Sequence, residues 1–207
     1  MRNNRRAYSW RNPDDYPEGH PVTLGSPNLL GTITTDQFAA DSAFVSLFQL
    51  PELTRFLRKI LRQAELYPVA CPYLAANIKV MSEGCKHAWH FDQNDGAVTF
   101  LFQHADEGGH FEYVPYLRSD DDENYAGVRP LLEGRDQGVQ RVDLSPGSFC
   151  LFKGRRSLHR VTEVTRGAPD RLLAVFSYHS VAGHRYVEST VTSVLGRLPD
   201  NFSIPNR

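Results

Sequence analysis

The chain has 207 residues, 41% of them hydrophobic, enough for one well-formed core and too few for a second domain to be expected. A formal net charge of -1 excludes the basic footprint of a nucleic-acid binder and the polybasic patch of a membrane-surface protein. No apolar run is long enough to span a bilayer, and Met1-Arg2-Asn3-Asn4-Arg5-Arg6 leads into polar chain without a secretory core, so no membrane partner and a cytoplasmic location are expected.

Residues 1–28 contain Pro13, Pro17, Pro21 and Pro27 with Gly19 and Gly25, a composition that disfavours regular elements. An extended N-terminal arm is expected there, loosely attached or folded over a site as a lid. The remainder, 29–207, reads as one domain. Thr34 or Thr35 can cap a helix through Phe38, Ala39, Ala40, Phe44, Val45, Leu47 and Phe48, and Pro51 suits the first turn of a second helix over 51–62. In that second segment Leu53, Phe56, Leu57, Ile60 and Leu61 recur at helical spacing opposite Arg and Lys, which predicts an amphipathic helix laid on a sheet with a solvated basic face.

From about residue 73 the pattern changes to short strands at 73–81, 97–103, 110–114, 138–142, 148–152, 159–164 and 171–180. Helices followed by strands predict a mainly β fold with N-terminal helices, a double-stranded β-helix of the jelly-roll or cupin-like kind. The run Asp120-Asp121-Asp122-Glu123 lacks the spacing and glycine of a calcium loop and reads as a solvated loop. Cys71, Cys85 and Cys150 have no C-x-x-C spacing and read as reduced, partly buried small hydrophobes.

The chemistry centres on His87-Ala88-Trp89-His90-Phe91-Asp92-Gln93-Asn94. In extended chain, residues two apart share a face, so His90 and Asp92 can hold one ion while Phe91 turns to packing. A distant third ligand would complete the two-histidine, one-carboxylate triad of non-haem Fe(II) oxygenases. His159 is the candidate, at the mouth of a strand that follows the Pro146-Gly147 turn and Gly154. His-x-Asp alone is common by chance, so context must carry the reading. Arg171 begins an otherwise apolar strand and shares a face with Leu173, Val175 and Ser177. A buried guanidinium needs an anion, so Arg171 could clamp a carboxylate with Ser177 adding a hydrogen bond; the alternative is a salt bridge to Asp170 or another surface acid.

Together His90-Phe91-Asp92, His159 and Arg171 resemble the signature of the Fe(II)/2-oxoglutarate-dependent dioxygenases. More narrowly, Trp89-His90-Phe91-Asp92, Glu107-Gly108-Gly109-His110-Phe111-Glu112-Tyr113-Val114-Pro115 and the segment 146–161 are similar to a branch containing free amino-acid hydroxylases and radical halogenases. The resemblance implies Fe(II) on His90, Asp92 and His159, 2-oxoglutarate on Arg171 with Ser177, O2 as the other cosubstrate, and a small-molecule substrate such as a free amino acid. Halogenases of this branch carry a small residue at the acidic position, so Asp92 implies hydroxylation. His87, Trp89, Gln93, Asn94 and Asn77 are the substrate-contact candidates, and the neutral Gln93 suits a polar neutral side chain better than a cation. Desaturation or cyclisation in natural-product biosynthesis is the alternative within this chemistry. In a non-catalytic β-barrel binding protein, the alternative outside it, Arg171 would have an internal acidic partner. The apolar surface of the N-terminal helices permits a homodimer.

Overall fold

Alternating apolar and polar residues build two facing antiparallel sheets whose inner faces enclose the site. The computed structural model describes residues 2–93, 97–135, 137–200 and 202. The chain opens with β1 (Arg2–Arg6), β2 (Gly25–Leu29) and β3 (Gly31–Ile33), then α1 (Ala43–Gln49) and α2 (Pro51–Leu61). Next come β4 (Tyr67–Pro68), β5 (Ala76–Met81), β6 (His87–His90), β7 (Ala97–Gln103), β8 (Glu107–Gly108) and β9 (Phe111–Val114). After α3 (Tyr125–Leu132) follow β10 (Gln140–Val142), β11 (Phe149–Leu151), β12 (Leu158–Val161), β13 (Val164–Arg166), β14 (Arg171–His179) and α4 (Glu188–Leu195). The larger sheet runs β11-β7-β14-β5-β3, with β4 also on β14, and the smaller runs β10-β9-β12-β6. This is the expected jelly roll.

β14 is the spine, paired with β5 on one side and β7 on the other. Its period-2 alternation sends Phe176 and Tyr178 outward, where they pack fully buried on Phe48, Leu57 and Leu61 of the helices. The Tyr178 hydroxyl donates to the Phe48 carbonyl at 3.1 Å, which satisfies the one polar atom this ring buries. Each such ring contributes roughly 1.5–3 kcal/mol by burial. The opposite face of β14 carries Arg171, Leu173, Val175 and Ser177 into the cavity.

The helices differ from expectation in detail. α1 starts at Ala43, where the Ser42 hydroxyl accepts from the Val45 N–H, whereas Thr34 and Thr35 belong to a separate short 3-10 turn. On α2, Leu57 and Leu61 are buried but Phe56 and Ile60 are each 50% exposed. The sheet buries the central row of the apolar stripe, while Phe56 reaches it only at the edge, with its ring 6.3 Å from that of Phe149.

The N-terminal arm is extended but not loose. β1 pairs with β2 along its whole length, the Phe91 N–H donates to the Ala7 carbonyl at 3.3 Å, and Ala7, Tyr8 and Val22 are buried. The Tyr8 hydroxyl donates to the Glu123 carbonyl at 2.6 Å, and the Glu123 carboxylate takes ion pairs from Arg11 at 2.8 Å and Arg118 at 2.7 Å. The acidic run is therefore an anchor for the arm, and not merely a solvated loop. Proline and glycine content described the turns of this segment, while the pairing of a polar Arg/Asn strand depends on a partner that propensity does not see. The strand expected over 159–164 divides into β12 and β13, and α3 and α4 were not anticipated. The three cysteines are free, as expected. Among the described residues, no helix is long and apolar enough to cross a membrane.

Candidate active site

β6 and β12 lie side by side with His159 opposite His90, and the two imidazole centroids are 4.1 Å apart. His90 Nδ1 is 2.8 Å from the Ala88 carbonyl and His159 Nδ1 is 2.9 Å from the Ser157 carbonyl. A carbonyl only accepts, so each Nδ1 carries the proton and each Nε2 keeps its lone pair for the space between the rings. Burial holds His90 well below the usual imidazole range. It also lowers His159, against the opposing pull of Asp92. Both rings are thus neutral, the form that binds metal.

Asp92 completes the group. Its backbone N–H donates to the Gly154 carbonyl at 3.1 Å, and its Oδ1 stands 3.8 Å from His90 Nε2 and 3.6 Å from His159 Nε2. One donor atom from each of the three residues lies within 4.8 Å of the others. These gaps are too long for direct hydrogen bonds and leave the donors facing a shared centre. Two neutral imidazoles and a carboxylate are the donor set of a non-haem Fe(II) facial triad, so the residues present fit that ion. Gly154 makes room for it, since a Cβ there would collide with Asp92 Oδ2.

Arg171 is fully buried on the cavity-facing side of β14. Burial brings its pKa down to about 10, which leaves it charged at neutral pH. Its Nε has no hydrogen-bond partner, and its Nη1 reaches only Met81 Sδ at 4.0 Å. Gly109, with φ +64°, lets the backbone pass close by, where a Cβ would stand 2.9 Å from Arg171 Cδ. The alternative salt bridge is not formed; among the described residues no carboxylate pairs with Arg171. A buried cation lacking an internal anion is a site for an external one.

His87, Asn77, Gln93 and Ser177 line the same cavity. His87 and His90 are three residues apart, yet their rings lie together, with centroids 4.1 Å apart and planes tilted by 34°. Between the pairs His159–His90 and Val161–His87, β6 spends one residue more than β12, and this bulge rotates both imidazoles onto one face. Gln93 Oε1 accepts from the Thr190 hydroxyl at 3.1 Å. Asn77 Nδ2 donates to the Leu74 carbonyl at 3.3 Å, while its Oδ1 is buried without a partner.

Two sequence assignments change. Ser177 donates to the Leu74 carbonyl at 3.2 Å and sits six residues along β14 from Arg171, about 20 Å at the rise of a strand. It shares a face with Arg171 but is too distant to hold the same small dianion. Trp89 does not line the cavity; it turns to the opposite side of β6, where the Arg160 guanidinium stacks 4.5 Å from its ring. Asn94 lies outside the described residues.

Two cavity cations were missed. Lys79 of β5 is buried, donates to the Thr32 hydroxyl at 3.1 Å, and is brought down to about 7 by burial, aided by Arg5 and opposed by Asp92. Its alternation with Asn77 was readable as a signal. Arg5 of β1 also faces the cavity, with its pKa lowered to about 10 by burial against the pull of Asp92 and its Nε unpartnered. Nothing local in the sequence marks it.

The sequence model of the halogenase D family matches residues 20–193, most of the chain. The chain belongs to the halogenase D family. Among solved structures, this halogenase D-family chain resembles an oxidoreductase of the 2OG-Fe(II) oxygenase family from Burkholderia pseudomallei, at 15% identity and a TM-score of 0.54 over 90% of this chain and 76% of that one. It also resembles the non-heme alpha ketoglutarate dependent epimerase SnoN from nogalamycin biosynthesis, at 16% identity and a TM-score of 0.54 over 93% of this chain and 75% of that one. At these identities the likeness is one of fold. A search of curated proteins returned no match. His90, Asp92, His159, Arg171 and Lys79 fall inside the halogenase D match, and Arg5 precedes it.

Proposed function

We propose that the chain is an Fe(II)/2-oxoglutarate-dependent hydroxylase acting on an unactivated C–H bond of a small molecule, a free amino acid or a close derivative. The observation that carries this reading is the cluster of His90, Asp92 and His159 in one cavity with a buried, unpaired Arg171. His90 Nε2, His159 Nε2 and Asp92 Oδ1 would hold the iron, and Arg171 the distal carboxylate of 2-oxoglutarate. Iron with 2-oxoglutarate and O2 supplies the oxidising power for the C–H bond, with succinate and carbon dioxide released.

The protein's own part is orientation and exclusion of water. The Ala88 and Ser157 carbonyls fix the two imidazoles, Gly154 admits the carboxylate, and Phe111, Phe152, Val161, Leu173 and Val175 form apolar walls. His87, Asn77 and Gln93 offer neutral hydrogen-bonding groups to a polar substrate. Halogenation, the activity in the family's name, requires a coordination position for halide. Asp92 would fill that position with a carboxylate, and its approach to His90 and His159 beside Gly154 supports the hydroxylation reading.

Anaerobic reconstitution with Fe(II) and 2-oxoglutarate tests the reading. The expected result is a visible metal-to-ligand charge-transfer band and, on admitting air with a panel of free amino acids, a product heavier by one oxygen atom. A chlorinated product in chloride buffer would overturn hydroxylation, and no band with no retained iron would overturn the iron assignment itself.

A further inference from the structure

Three basic side chains share the cavity with a single described acid. Arg5, Lys79 and Arg171 line it, and Asp92 is the only carboxylate among the described lining residues. Ferrous iron and dianionic 2-oxoglutarate cancel each other, so with or without them Asp92 balances one guanidinium and leaves the other. Arg5 Nε is buried without a hydrogen-bond partner, and among the described residues neither Arg5 nor Lys79 forms an ion pair. Two cations in one buried field repel each other, and that is costly unless one gives up its proton or an anion is supplied.

Lys79 is the group that yields its proton. Its amine is buried and donates to the Thr32 hydroxyl at 3.1 Å, a neutral partner. Burial, then the Arg5 charge, bring it down to about 7 against the pull of Asp92. A desolvated neutral amine is a nucleophile, which an ammonium is not. The other lysines, Lys59, Lys86 and Lys153, are not among the cavity-lining residues, and Lys86 is tied to Glu163 at 3.1 Å.

We propose that Lys79 is a carbamylation site, where the amine adds to CO2 and the carbamate so formed pairs with the Arg5 guanidinium. An N–C bond forms between Nζ and the carbon of CO2, one C=O electron pair moves onto oxygen, and one N–H proton leaves to water. No electrons are exchanged. The nitrogen keeps one N–H, enough to retain the bond to Thr32. The planar carbamate offers two oxygens to the planar fork of Arg5, as a carboxylate would. Its negative charge supplies the anion that the cavity lacks. The proposed oxidation releases CO2 at this place, yet dissolved CO2 suffices, so the modification goes beyond the iron reading and stands or falls apart from it.

The test is carbon NMR on the metal-free full chain, titrated from CO2-free buffer with isotope-labelled bicarbonate at a pH above the Lys79 titration in each protein. The expected result is a saturable carbamate resonance, distinct from CO2 and bicarbonate, that is lost in Lys79→Met. Alkylative trapping followed by peptide mass spectrometry should place the adduct on Lys79, which decides the site in the unmodified protein whether or not the variant folds. Arg5→Gln should raise the CO2 concentration for half-saturation by at least about tenfold, the loss expected when a charge-assisted pair is removed. Far-UV circular dichroism checks that both variants are folded. Absence of a saturable resonance would overturn the proposal, as would an undiminished resonance in Lys79→Met or a trapped adduct only at the N-terminus, Lys59, Lys86 or Lys153. An unaltered half-saturation in Arg5→Gln would overturn the pairing with Arg5, and the proposal with it.

Discussion

Arg171 and Arg5 bring the same group to one cavity by different routes. Each has a buried Nε without a partner and a pKa lowered to about 10 by burial. Arg171 begins the longest strand of the larger sheet and is placed by the ladder that β5 and β7 impose on it. Arg5 rides on a two-stranded ribbon held by aromatic packing around Tyr8 and by the Glu123 ion pairs. A cation in a regular strand can be found by its interruption of an apolar pattern. One on a polar ribbon can be found only through what the ribbon packs against.

The sharpest way to break this comparison is to remove the metal group that shares the cavity with the two cations. His90→Ala should leave far-UV circular dichroism unchanged while iron retention after gel filtration and turnover both fall to background. Retained iron with full turnover would show that the triad is not the metal site. Arg171→Gln is expected to keep iron but weaken 2-oxoglutarate by about 100-fold, measured by titration of the charge-transfer band. Unchanged 2-oxoglutarate affinity would move the anchor elsewhere, with Arg5 and Lys79 the remaining cavity cations.

Lys79 gives an effect on stability instead of ligand affinity. Burial, with Arg5 adding repulsion and Asp92 opposing, holds it at about 7 against the 10.5 of an ordinary lysine. Between those pH values the unfolded chain binds the extra proton, so native stability rises with pH. Lys79→Met should therefore stabilise the metal-free protein by a few kcal/mol below pH 7, with the gain shrinking as pH climbs toward 10.5. Arg5, Asp92 and His87 are the charged or titratable groups coupled to it, and denaturant melts of both proteins across pH isolate the Lys79 contribution. A pH-independent difference would mean that Lys79 is well solvated. The smallest effect belongs to Ser177→Ala, which should leave 2-oxoglutarate affinity within about twofold because strand rise separates it from Arg171. A tenfold loss would place the cosubstrate at the other end of β14.

Much of the metal site was legible because its logic is local. His90 and Asp92 are two residues apart in extended chain, and His159 follows turn residues that launch a strand. Arg171 stood out as a charge at the head of an apolar run. The errors are equally physical. Period 2 correctly gave Ser177 the face of Arg171, but a shared face is not a shared place when six residues intervene. Trp89 was drawn into the site by adjacency to His90, although alternation turns neighbouring side chains to opposite sides. His87 joins His90 through a bulge, which depends on how β6 pairs with β12.

By itself, the sequence determined the jelly-roll class, the three donors and the cation at the head of β14, because each follows from spacing along one segment or from a pattern that repeats across segments. Only the tertiary structure decided that the polar N-terminal segment is a paired strand, that Glu123 ties it down, and that Arg5 and Lys79 share the cavity with the triad. Those outcomes depend on which surfaces meet, and a strand of Arg and Asn carries no apolar periodicity to announce its partner; its place is set by the aromatic cluster and ion pairs on the chain beyond it.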